Sequence, residues 1–303
     1  MIDKSYPAKI LLFGEYSVIH QSKALAIPLK NFFGCWKKNP LQAHQLEQFL
    51  AYLKVLIESE KQFFPFEGLR PFIADLEQGQ YFESSIGPGK GLGSSGAFCA
   101  AVYQKYFQRS DHSLLEMKKA LSLLENFHHS RSSGIDPLVS LLQTPILCHG
   151  LEKIEVLSND ISFEDLYQQT GLRTWLVDSM QTRRTSPLVD LYHLQCENAE
   201  YLQQMLKSYC PLVDQLIGNL NGADSLWVEK LNQLCSQQYQ FFAQMFRPLN
   251  LQQLQKRREN GDYFLKLCGA GGGGYYLVFE MTPDSLCQDF SPTQCIDLVS
   301  TLG

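Results

Sequence analysis

Residues 89–97 read Gly-Lys-Gly-Leu-Gly-Ser-Ser-Gly-Ala and run directly into the helix-forming stretch 98–107. Glycine reaches positive φ without steric cost and lets a backbone approach another group closely. Placed where a loop becomes a helix, four glycines leave N–H groups at the positive end of the helix dipole, where phosphate is favoured. Ser94 and Ser95 can cap the helix, touch a phosphate or ligate a metal. The segment is not a Walker loop, because no Gly-Lys-Ser/Thr closes it and Lys90 lies inside it. By itself it fits an ordinary turn equally well, so the rest of the chain has to decide.

A chain of 303 residues with 45% apolar content is long enough for a large core and about two domains. Its net charge of −5 and the lack of a basic stripe exclude nucleic acid as the main partner. Nine cysteines without a Cys-x-x-Cys pair read as reduced thiols. No apolar run approaches the ~18 residues of a membrane span, and the first residues lack a signal core. The expectation is a soluble, cytoplasmic protein with no membrane partner; a homodimer is compatible with the sequence.

Ala8-Lys-Ile-Leu-Leu-Phe13 reads as a buried strand with one intruding lysine, and 16–20 and 24–28 as further strand-like pieces. Apolar residues at helical spacing predict a helix over 42–63 and another over 113–128. Residues 81–86 should be a strand entering the glycine loop, and 131–134 a loop. The polar stretch 158–170 is a plausible seam between halves. Strands are predicted at 145–149, 174–178, 263–268 and 275–279, and helices over 187–207, 211–220 and 225–246.

Three constellations stand out. Lys9 is costly inside an apolar strand unless it meets a carboxylate, a phosphate or solvent; it fits either an outward edge lysine or a cation aimed at phosphate. Glu125 near a helix end and Asp136 beyond a small-residue turn suit phosphoryl transfer, one holding Mg²⁺ and the other taking a proton. Without further context they fit a solvated helix glutamate and a turn aspartate better. Adjacent His128 and His129 face different ways on a helix and do not form a zinc site. The run Gly269-Ala-Gly-Gly-Gly-Gly274 between two strands implies close approach of a ligand or of another backbone.

Taken together, these residues resemble the GHMP kinase family, the mevalonate kinases most closely. Pro7-Ala-Lys-Ile-Leu-Leu-Phe-Gly-Glu-Tyr-Ser-Val18 is similar to the family's Pro-Gly-Lys strand leading to Gly-Glu-His. Gly91-Leu-Gly-Ser-Ser-Gly-Ala97 is similar to its phosphate loop, and Lys266-Leu-Cys-Gly-Ala-Gly-Gly-Gly-Gly274 to its closing glycine motif. The interval between Glu125 and Asp136 also matches. The resemblance implies an α/β (α+β) two-domain fold. Residues 1–165 would form an ATP-binding domain resembling ribosomal protein S5, and 166–303 a ferredoxin-like domain, with the active site between them.

By position, the resemblance makes Asp136 the catalytic base and Lys9 the cation on the alkoxide and the transferred phosphoryl group. Gly89, Lys90, Gly91, Leu92, Gly93, Ser94, Ser95 and Gly96 would hold ATP, and Ser95 and Glu125 would ligate Mg²⁺. Arg183 and Thr185, in a segment similar to the family's Arg-x-Thr-x-x-Leu-Val, would face the substrate with Glu15, Tyr16, Ala270 and Gly271. The implied reaction is ATP-dependent phosphorylation of an alcohol, mevalonate first, in isoprenoid precursor synthesis.

There are departures from the pattern. Tyr16 replaces histidine, and Gly96 follows the two serines where mevalonate kinases usually carry alanine. Ser130, Arg131 and Ser132 replace Gly-x-Pro, Pro137 replaces a polar residue, and Cys268 replaces threonine. Tyr16, Lys90 and Gly96 lean toward phosphomevalonate kinases, whose acceptor would need an extra cation such as Arg131 or Arg184. A non-catalytic binding protein of the same fold is a further alternative, set against by the presence of Lys9, Glu125 and Asp136.

Overall fold

In the computed structural model, residues 4–87, 89–129, 132–182 and 186–299 are described. The chain forms two compact units, one within Met1–Lys9, Pro28–Pro88 and Leu92–Thr144, the other within Ile10–Ile27, Gly89–Gly91 and Pro145–Gly303. Strands β1 (Ser5–Phe13) and β2 (Lys23–Lys38) supply residues to both.

The first unit continues through helices α1 (Pro40–Ala43), α2 (Glu47–Ser59) and α3 (Leu69–Glu77) to strand β3 (Gln80–Ser84). Helices α4 (Ser94–Val102), α5 (Leu114–Glu125) and α6 (Ile135–Leu142) complete it. Antiparallel pairing aligns Gly34 with Ser84 and Lys38 with Gln80. Phe49, Phe72, Phe82 and Phe98 interlock edge to face beneath this pair. Helix α4 is apolar almost all round, with Gly96 to Val102 buried, and packs against α5 and α6. Helix α5 starts at a capping box in which Ser113 and Glu116 satisfy each other's backbone N–H.

The second unit holds β4 (Ile146–His149), β5 (Lys153–Val156), α7 (Phe163–Thr170) and β6 (Arg173–Asp178). It goes on through α8 (Ser186–Cys196), α9 (Ala199–Gln204), α10 (Cys210–Gly218), α11 (Ser225–Phe241) and α12 (Leu251–Glu259) to β7 (Tyr263–Lys266), β8 (Tyr275–Glu280) and β9 (Cys295–Asp297). Its antiparallel sheet has the order β7-β8-β6-β9. The first part of β2 pairs with β4, which pairs with β5. All nine cysteines are free, and among the described residues no helix is long and apolar enough to cross a membrane.

Several local expectations change. Residues 17–20 form a turn of 3-10 helix rather than a strand, because Tyr16 takes φ 62° and breaks the extended run. The polar stretch 158–170 contains α7, capped by the Ser162 hydroxyl. The predicted helix over 42–63 divides at a 3-10 turn and ends at Ser59. Helices α3, α6 and α12 and strands β5 and β9 have no counterpart in the sequence reading; their apolar periods are too short to stand out.

Candidate active site

In the first unit, the backbone N–H of Lys9 donates to Leu92 O at 3.0 Å, tying β1 to the glycine loop. Lys9 is buried, so its ammonium needs a partner, and it finds Asp136 Oδ1 at 2.9 Å. Asp136, beyond the small-residue turn, sits in the first turn of α6, where its charge suits the helix dipole, and its side chain keeps 31% exposure. Lysine and carboxylate therefore meet, with the carboxylate still open to a reactant.

Two glycines permit this approach. A Cβ on Gly93, which holds φ 75°, would lie 3.1 Å from Lys9 Cγ. A Cβ on Gly96 would lie 2.9 Å from both Asp136 C and Pro137 N. Gly96 thus answers to the tight packing of α4 on α6. Gly93 caps α4 with backbone alone and no side-chain hydrogen bond. The first N–H groups of a helix lack intrahelical acceptors and are free for an anion.

Ser95, in the first turn of α4, donates to Glu125 Oε1 at 3.0 Å and lies 3.2 Å from His129 Nε2. Ser132 donates to Glu125 Oε2 at 2.5 Å, and its Oγ accepts from Gly134 N at 2.9 Å. The sequence reading noted Ser132 only as a departure from the family's Gly-x-Pro and gave it no role. Burial pushes the Glu125 carboxyl up to about 7, the Asp136 charge adds to the rise, and hydrogen bonds from Ser132 and Ser95 and the Lys9 ammonium oppose it. Two hard oxygen donors converging on a carboxylate short of positive charge fit Mg²⁺, which takes few protein ligands and keeps several waters. Among the described residues no cluster of three or more His, Cys, Asp or Glu offers a fuller metal cage.

In the second unit, Glu15 and Lys266 are fully buried and form an ion pair. Gln238 donates to Glu15 Oε2 at 3.3 Å and accepts from Leu267 N at 2.9 Å. Glu15, expected to face a substrate, is committed to this internal network. Tyr16 donates to Ala270 O at 2.7 Å and packs on Tyr192 and Phe242, with centroids at 4.5 and 4.9 Å. Its positive φ is uncommon for a bulky residue and marks the position as strained.

The glycine run is filled mainly by other parts of this unit. A Cβ on Gly271 would meet Met245 O at 2.3 Å, one on Gly272 would meet Leu188 Cδ1 at 2.4 Å, and one on Gly274 would meet Lys90 O at 2.4 Å. Of the two readings open for the run, close backbone approach accounts for Gly271 and Gly274. Lys90 extends its ammonium to Asp178 Oδ2 at 2.5 Å, and its carbonyl accepts from Tyr275 N at 2.9 Å. Arg183 and Thr185, together with Arg131 and Arg184, lie outside the described residues.

No protein-family model matches the sequence, and no curated protein matches it either. Solved structures match nearly the whole chain. L. major mevalonate kinase in complex with R-mevalonate shares 18% identity, covering 94% of this chain and 89% of that one at TM-score 0.62. Streptococcus pneumoniae phosphomevalonate kinase shares 15% identity over 94% of this chain and 93% of its own, at TM-score 0.63. The same enzyme in complex with phosphomevalonate and AMPPNP shares 15% over 94% of each chain, at TM-score 0.59. At such identity the likeness is one of fold: this chain has the mixed helix and antiparallel-sheet fold of the GHMP kinases.

Proposed function

We propose that this protein is an ATP-dependent kinase that phosphorylates a small-molecule alcohol, with mevalonate as the acceptor and its 5-hydroxyl as the attacking group. The observation that carries this reading is the Lys9–Asp136 pair at 2.9 Å, beside a helix start that has no side-chain cap, the kind of place that favours phosphate. Asp136, carboxylate exposed, takes the proton of the acceptor hydroxyl. Lys9, held against it, stabilises the resulting alkoxide and the charge on the transferring phosphoryl group. The loop from Gly89 to Gly96 holds the phosphates through backbone N–H groups. Ser95 and Glu125 would hold Mg²⁺, which, when bound, neutralises phosphate charge. Tyr16, Ala270, Gly271, Arg183 and Thr185 are assigned to the acceptor, and Glu15 acts on them through Lys266 and the buried network. Free cysteines throughout agree with a reducing, cytoplasmic setting.

Phosphomevalonate is the less favoured acceptor. Two of the residues that lean toward it have other work: Lys90 is engaged by Asp178, and Gly96 is set by packing on α6. The test is ADP release from ATP with mevalonate and with phosphomevalonate, using the wild type and Asp136→Asn. Mevalonate should be the faster substrate, and Asp136→Asn should lose roughly 10²–10⁴-fold in kcat while still binding ATP. Near-normal turnover by that variant would remove Asp136 as the base.

A further inference from the structure

Strand β5 ends the sheet path β1-β2-β4-β5, so β4 is its one strand neighbour among the described residues. Its sequence, Lys153-Ile-Glu-Val156, alternates charged and apolar side chains, and three of the four are exposed. An open strand edge offers backbone N–H and C=O groups to another strand.

The hydrogen-bond pattern fixes which groups those are. Leu157 N donates to Pro145 O at 3.0 Å, a pair that continues the register in which Ile146 faces Val156. Antiparallel ladders alternate bonded and non-bonded pairs, so Lys153 and Glu155 turn their backbone groups toward β4, while Ile154 and Val156 turn theirs outward. Gly150 N, which donates to Ser22 O at 3.1 Å, gives the same phase from the other side of β4.

A second copy of this chain could meet that edge about a twofold axis. Axes at residues 153, 154 and 155 all match outward groups with outward groups, and charge separates them. An axis at 153 sets Lys153 against Lys153, and one at 155 sets Glu155 against Glu155; like charges directly opposite destabilise a sheet. An axis at 154 sets Lys153 of each chain against Glu155 of the other, and Ile154 against Ile154. Glu155 meets His149 at 3.4 Å yet keeps 55% exposure, so it remains within reach of an incoming lysine. On the same sheet face as Glu155, a groove of about 310 Å³ is lined by Leu25, Leu147, Leu157, Ile217 and Leu220. The axis at 154 brings Leu151, 47% exposed in the turn before β5, opposite Leu157 of the other chain at this groove.

We propose that β5 pairs with β5 of a second copy of this chain, antiparallel and centred on Ile154, so that two sheets become one. Main-chain hydrogen bonds join the edges, the two Lys153–Glu155 contacts select the register, and the Leu151 side chains cover the grooves. Four-residue edges are short, so the contact is a concentration-dependent dimer rather than an obligate one.

The test is sedimentation velocity of the full chain from micromolar to millimolar concentration. Wild type should pass from monomer to dimer. Lys153→Glu and Glu155→Lys each place two like-charged pairs across the edge, and each should weaken the dimer about tenfold or more. Lys153→Glu/Glu155→Lys restores opposite charges and should dimerise within about threefold of wild type. An equimolar mixture of the two single variants should form a heterodimer for the same reason. These side chains are exposed, so the variants spare the core. A wild-type chain that stays monomeric at millimolar concentration would overturn the proposal and leave the edge to some other partner. So would a dimer that neither single variant weakens, or one that the double variant fails to recover.

Discussion

Replacing Gly96 with alanine tests the geometry of the site more sharply than removing a catalytic group. The added Cβ would stand 2.9 Å from Asp136 C and Pro137 N and 3.1 Å from Asp136 Cβ. None of these atoms is the far end of a flexible side chain, so the relief must come from α6 as a body. Restoring an ordinary carbon contact of about 3.5 Å moves the two helices apart by roughly half an ångström. Overpacking of this kind costs about 1–3 kcal/mol, offset in part by the roughly 1 kcal/mol by which alanine is the better helix former. Urea denaturation should therefore show a net loss of about 0–2 kcal/mol. The effect on activity should be larger, because the segment that moves carries Asp136, and a misplacement near 1 Å costs about 10²-fold in rate. We expect kcat in the ADP-release assay to fall roughly tenfold or more while the ATP dissociation constant changes little. Wild-type kcat in a folded Gly96→Ala protein would refute the reasoning, showing that the Asp136 position is not set by the approach of α4.

Two further predictions concern buried charge. Lys266→Met leaves Glu15 buried without its cation and should destabilise the protein by about 3–5 kcal/mol, whereas Glu15→Gln/Lys266→Met should cost less than the sum of the two single changes in urea denaturation. Glu125 has its carboxyl raised from 4.5 to about 7, so in metal-free protein it penalises folding once it must ionise. The folded state then binds the extra proton between those values, and stability falls as pH rises through that window and levels off above it. At 1.36 kcal/mol per unit the rise corresponds to about 3 kcal/mol at most. Glu125→Gln should match wild type near pH 4.5 and exceed it above pH 7 in denaturation with a chelator present, and a pH-independent difference would contradict the assignment.

The sequence by itself determined the local grammar of the site. The glycines before α4, the capping box of α5 and the glycine run between β7 and β8 are each set by a few neighbouring residues, through φ preference and periods of 2 and 3.6. The resemblance carried by those motifs also pointed to the correct fold. Tertiary structure alone decided which distant groups meet. Lys9 fitted an outward edge lysine as well as a catalytic cation until β1 and the start of α6 placed it against Asp136. Glu15 read as a substrate contact, yet the strand ending at Lys266 turned it into a buried ion pair. Ser132 stood out only as a departure from the family's Gly-x-Pro and became a partner of Glu125 only in the folded chain. Gly96 resembled a mark of substrate preference until the backbone of Asp136 and Pro137 was found to occupy the space a side chain would need. Periodicity reports which face of an element is buried; it carries no information about what covers that face, and the chemistry of this site depends on what does.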